Sequence, residues 1–96
     1  MKIGYVRVST EEQNTARQEI MLRELGVDEL FVDRASGKNA DRQELNRMMN
    51  FVRRGDTVIV ESISRFARNT RDLLDLVEQL TAKQVEFVSR KEAIDT

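Results

Sequence analysis

Hydrophobic and polar positions follow two periods along this chain, and the change from one to the other marks out its elements. Ile3 to Val8 is rich in β-branched and aromatic residues and reads as a first strand. Thr10 and Gln13 can form a capping box, after which Ala16, Ile20 and Leu25 fall near one helical stripe that ends before Gly26. Leu30 to Val32 predicts a short second strand. Arg34 to Ala40 lacks apolar periodicity, contains Ser36-Gly37 and reads as a mobile connection. Asp41 and Glu44 offer a second capping box, ahead of a helix whose apolar positions Leu45, Met48, Met49 and Val52 recur at helical spacing. Gly55-Asp56 introduces the strongest strand signal, Thr57 to Val60. A third helix is predicted from about Ser64 to Leu80 with Leu73, Val77 and Leu80 inward, and Val85 to Val88 gives a fourth strand.

Strands and helices in strict alternation predict an α/β fold, a mostly parallel central sheet flanked by helices. Ligands in such folds collect beyond the carboxyl ends of the strands. That rule places Ser9, Asp33 and the stretch from Ser62 to Arg68 on one rim, although they are far apart in sequence.

The length of 96 residues, 40% of them hydrophobic, suits one small domain with a modest core. The chain has no cysteine and no histidine, which excludes disulfides, thiolate metal sites and the commonest base near neutral pH. A magnesium ion bound by carboxylates alone stays open. No long apolar run or signal-like N-terminus occurs in the sequence, so the expectation is a cytoplasmic protein with no membrane partner. The net charge of −1 hides an uneven distribution. From Arg34 to Arg71 nine basic residues stand against four acidic ones, a balance of +5, while the remainder carries −6. A cationic site on an acidic body suits phosphate chemistry but adds little non-specific DNA affinity, so tight DNA binding calls for a further module.

The candidate chemistry starts at Tyr5-Val6-Arg7-Val8-Ser9-Thr10. Residues two apart in a strand point the same way, so Arg7 and Ser9 can face one phosphodiester. Ser9 is a candidate nucleophile for a covalent phosphoseryl intermediate; the competing reading is that Ser9, Thr10 or both cap the following helix. Arg7, Arg42, Arg65 and Arg68 are the candidate phosphate ligands, because a planar guanidinium binds two oxygens and stays charged at neutral pH. Arg65 and Arg68 are expected three apart on one face at the start of the third helix, where a plain solvated helix end is the alternative. Asp33 can orient an arginine, accept a proton through water or make a structural salt bridge. Ser36 can donate a hydrogen bond to DNA or position the loop, against a simple turn role, and Gln18 on the first helix can reach the rim, against an exposed-helix role. Phe66, inside the arginine-rich stretch, is expected to pack into the domain.

Taken together these residues resemble the catalytic domain of the serine recombinases, the resolvase and DNA-invertase family. The resemblance runs from Tyr5 to Thr10 through Arg17-Gln18, Phe31 to Gly37 and Asp41-Arg42, to Glu61 through Asn69 and the tail Glu92 to Thr96, and so covers essentially the whole chain. It implies that Ser9 is the nucleophile and that Arg7, Arg65 and Arg68 surround the scissile phosphate. It further implies that Arg42 and Asp33 are active-site residues and that Gln18, Ser36 and Asp41 are supporting polar groups. Small resolvases commonly carry Asp at the position of Ser64, so a carboxylate of that network is replaced here by a hydroxyl.

The implied activity is site-specific cleavage and rejoining of double-stranded DNA through a 5′-phosphoserine linkage, with no metal, ATP or organic cofactor. The implied partners are DNA and further copies of the chain, a dimer and then a synaptic tetramer. Family members continue into a long dimerisation helix and a DNA-recognition region, neither of which these residues contain; residues 1–96 by themselves are therefore expected to be monomeric. A response-regulator-like signalling domain and a DNA-bound scaffold without cleavage are the competing classes. The former lacks its acidic phosphorylation cluster near the first strand; Ser64 argues for the latter.

Overall fold

The computed structural model describes residues 1–9, 16–35, 42–92, 94 and 95. Their order is β1 (Lys2–Ser9), α1 (Ala16–Glu24), β2 (Glu29–Ala35), α2 (Gln43–Phe51), β3 (Thr57–Val60), a 3-10 turn (Ile63–Arg65), α3 (Thr70–Ala82), β4 (Glu86–Ser89) and β5 (Ile94–Asp95). The sheet runs β2-β1-β3-β4-β5, with the first four strands parallel. The expected parallel sheet is present, with β5 added antiparallel along β4.

Strand periodicity divides the apolar side chains between two faces. Ile3, Tyr5, Phe31, Val58, Val60 and Phe87 join Leu45 and Met48 of α2 and Leu76 and Leu80 of α3 in the larger core. Val6 and Ile59 point the other way and pack with Leu22 of α1. Gly4 lies on this second face because α1 comes so close: an added Cβ would stand 3.0 Å from Leu30 Cδ1 and 3.2 Å from Leu22 Cδ1.

Two expectations need correction. Leu25 packs inward from the end of α1, but Ile20 is 56% exposed, because the helix turns Met21 and Leu22 toward the sheet and so buries more apolar surface. The second helix has Arg42 as its N-cap, which makes no side-chain cap, and Asp33 of β2 meets its first amides. The third helix starts at Thr70 rather than near Ser64. Asn69 is extended and accepts the amide of Asp72 at 2.8 Å, so it fixes the helix start. The Thr10–Gln13 capping box and Asp41 lie outside the described residues. No described helix is long and apolar enough to cross a membrane.

Candidate active site

β1 pairs with β2 as far as Ser9–Ala35 but with β3 only as far as Tyr5–Val60. The connections from β1 to β2 and from β2 to β3 leave β1 between the strands it joins, so its carboxyl end is the switch point where this architecture opens a crevice. The 3-10 turn occupies the step left by the shorter β3. Nη2 of Arg7 donates to the carbonyl of Ser64 at 2.7 Å, and Nη1 of Arg65 donates back to the carbonyl of Arg7 at 3.2 Å. Phe66 anchors this turn: fully buried, it meets the Tyr5 ring edge-on at 6.3 Å between centroids and the Phe87 ring at 4.7 Å.

The turn is also held from behind. The carboxylate of Glu92 accepts the Ile63 amide at 3.1 Å and the Ser89 hydroxyl, and the Ser89 hydrogen bond holds the Glu92 carboxyl below its ordinary range. The hydroxyls of Ser62 and Ser64 lie 3.1 Å apart.

Asp33 builds the second half of the site. It stands beside Arg7 in the β1–β2 register and is only 4% exposed. It accepts the Tyr5 hydroxyl at 2.7 Å and the amides of Glu44 and Leu45 at 2.9 and 3.0 Å. Those two amides are the ones that a local N-cap side chain would take. A carboxylate at the end of β2 therefore fixes the start of α2, and with it Arg42, beside the rim. Burial first, and then the hydrogen bond to Asp33, push the Tyr5 phenol well above its ordinary pKa.

Arg42 meets α3 through Asp72. Its Nη1 and Nη2 donate to the two carboxylate oxygens of Asp72 at 2.6 and 3.1 Å, a two-pronged pair with side chains only 14% and 19% exposed. Asp72 also accepts the backbone amide of Arg68 at 3.0 Å. The hydrogen bond from Arg42 is the main reason that the Asp72 carboxyl lies below its ordinary pKa.

Of the sequence-predicted residues, Arg7, Ser64 and Arg65 meet directly, while Arg42 and Arg68 are joined through Asp72. Arg65 and Arg68 do not share the first turn of a helix: the former is in the 3-10 turn and the latter precedes Asn69, because Phe66 must enter the core between them. Arg68 is exposed and Arg65 half-buried. Ser9 closes β1 and Gln18 lies in α1, but their side chains lie outside those described, as do residues Ser36 and Asp41 altogether. Among the described residues, no group of three or more His, Cys, Asp or Glu could hold a metal ion. Sequence reasoning missed Tyr5, Asp72 and Glu92 as structural partners of the site. Asn69 and Asp72, three apart ahead of an apolar stripe, were a readable cap signal; nothing local pointed to Tyr5 or Glu92.

A family model described as the resolvase N-terminal domain matches residues 2–96. The chain belongs to that family. The DNA-invertase of Escherichia phage P1 is 46% identical over 96 residues, covering 100% of this chain and 52% of the phage protein. The transposon Tn501 resolvase of Pseudomonas aeruginosa is 46% identical over 93 residues, covering 97% of this chain and 48% of the resolvase. This resolvase-family chain thus spans about half the length of the curated relatives it matches. Among solved structures, a resolvase family site-specific recombinase from Streptococcus pneumoniae superposes with a TM-score of 0.79 at 25% identity, covering 100% of this chain and 76% of that one.

Proposed function

We propose that these residues form the catalytic domain of a site-specific DNA recombinase of the resolvase and DNA-invertase kind. Ser9 is the nucleophile: its Oγ attacks phosphorus, the bond to the 3′ oxygen breaks, and the products are a 5′-phosphoserine linkage and a free 3′-hydroxyl. The serine gives up its proton and the leaving oxygen takes one up. Arg7, Arg65, Arg68 and Arg42 stabilise the added negative charge on phosphorus, work that fixed guanidinium groups do without a metal ion. Asp33, Gln18, Ser36, Asp41 and Ser64 support that arrangement.

The observation that carries this reading is the reciprocal clasp of Arg7 with the Ser64–Arg65 turn, two residues before the serine that ends β1. It gathers two guanidinium groups at the switch point of the sheet. The names of the relatives, a DNA-invertase and a transposon resolvase, agree with it. The shorter length of the chain relative to them supports a longer protein, whose further part binds double-stranded DNA tightly and assembles the dimer and synaptic tetramer.

The test is covalent trapping in the full-length recombinase on DNA carrying its crossover site. The unaltered protein should yield a protein–DNA adduct that survives denaturation, and Ser9→Ala should yield none while keeping its circular dichroism and DNA affinity. Undiminished cleavage by folded Ser9→Ala would overturn the assignment.

A further inference from the structure

We infer that Asp72 is a positioning residue of the cleavage site, holding Arg42 and the backbone at Arg68 in one frame. This role rests on the recombinase reading and deepens it. One carboxylate does three things at once. It fixes the plane of the Arg42 guanidinium by pairing with both terminal nitrogens, at 2.6 and 3.1 Å. Its Oδ2 also accepts the amide of Arg68 at 3.0 Å. Its own amide is tied to Asn69 at 2.8 Å, so the carboxylate is set at the first turn of α3 and cannot drift. Two arginines 26 positions apart in the chain are thereby referred to one point.

The pairing leaves Arg42 able to work. A guanidinium has five N–H donors, and the pair with Asp72 consumes two of them. The other three make no hydrogen bond among the described residues, and a guanidinium whose plane is already set loses less entropy on binding a phosphate. Replacing the carboxylate would leave the guanidinium without its partner in a place where the Arg42 side chain is only 14% exposed, and would weaken the acceptor for the Arg68 amide. Both groups would then relax away from the rim. A competing view makes Asp72 a guard that withholds Arg42 from DNA, which predicts the opposite sign on its removal.

The experiment is single-turnover cleavage by the full-length recombinase, using a nicked crossover site that traps the adduct. Asp72→Asn should cut about 10- to 100-fold more slowly, the scale of loss when a reacting group is misplaced by an ångström. DNA affinity should stay within about twofold, since base and backbone contacts outside this site dominate it. Arg42→Lys and the double variant complete a cycle: because Asp72 acts in part through Arg42, Asp72→Asn should cost several-fold less once Arg42 is Lys, and what cost remains acts through the Arg68 amide. A melting curve for each variant, with assays run well below the transition, separates slow chemistry from unfolding. Unchanged or faster cleavage by Asp72→Asn would overturn the role, as would full additivity with Arg42→Lys. An unaltered protein that forms no adduct would remove the recombinase reading itself, and this role with it.

Discussion

Tyr5 carries a hydroxyl into the core next to Phe66, and a buried hydroxyl needs a partner. Asp33 supplies it at 2.7 Å, so a phenol and a carboxylate that look unrelated in sequence form one hydrogen-bonded unit with the start of α2. Burial and the adjacent carboxylate both disfavour phenolate, so the folded protein keeps this proton beyond the pH at which a free tyrosine loses it. The unfolded chain loses it near its ordinary pKa, and the resulting stability is therefore present below about pH 10 and lost as pH rises above it. Tyr5 is the only tyrosine and there is no tryptophan, which makes the test direct. Phenolate absorbance should stay flat through pH 10 and rise only together with loss of far-ultraviolet circular dichroism. A phenolate signal with an ordinary midpoint in the folded protein would mean that the Tyr5–Asp33 bond does not hold.

Elements here are placed by specific contacts, one of them local and others brought together by the fold. α2 begins at Gln43 because Asp33 meets its first amides, and α3 begins at Thr70 because Asn69 caps it. α1 is placed by shape: it packs against Gly4, whose missing side chain leaves room for the methyls of Leu22, Val27 and Leu30. Gly4→Ala would bring a methyl group to 3.0–3.2 Å from all three and force them apart. The expected loss is about 1–3 kcal/mol, the usual cost of overpacking, read as a lower urea midpoint with an unchanged slope. An unaltered midpoint would show that α1 shifts freely over β1. Because that face lies opposite α2 and α3, the clasp of Arg7 with Arg65 should survive the substitution.

At the scale of the molecule, the larger core joins β1, β2, β3 and β4 with α2 and α3 in one cluster. A core shared by four strands and two helices should let residues 1–96 fold on their own. Recombination asks for more: two DNA sites must be held and exchanged, and this chain spans only 52% of the phage DNA-invertase it resembles. Residues 1–96 alone should therefore unfold cooperatively as a monomer in sedimentation and thermal measurements, and should fail to recombine supercoiled DNA that the full-length protein converts. Recombination by the fragment at full-length efficiency would sink the division of labour proposed between this domain and the rest of the protein.

Apolar periodicity by itself was enough for the four parallel strands, three helices and their order, since a strand or helix buried on one face must repeat every two or about 3.6 residues. It was enough, too, for the burial of Phe66 and for the gathering of Arg7 and Arg65 at strand ends, because an alternating α/β chain puts those ends on one rim. Helix starts were a different matter. The sequence offers Ser64 as a plausible opening for α3, yet the local cap Asn69 sets its start, and the first amides of α2 are met by Asp33 of β2, which only the fold brings to them. Ile20 shows the same limit: a helix with apolar residues on more than one stripe is rotated by whatever it packs against. The pairing of Arg42 with Asp72 likewise spans 30 positions and belongs to no local pattern. It exists because α2 and α3 both start at the rim, a proximity that only the folded sheet creates.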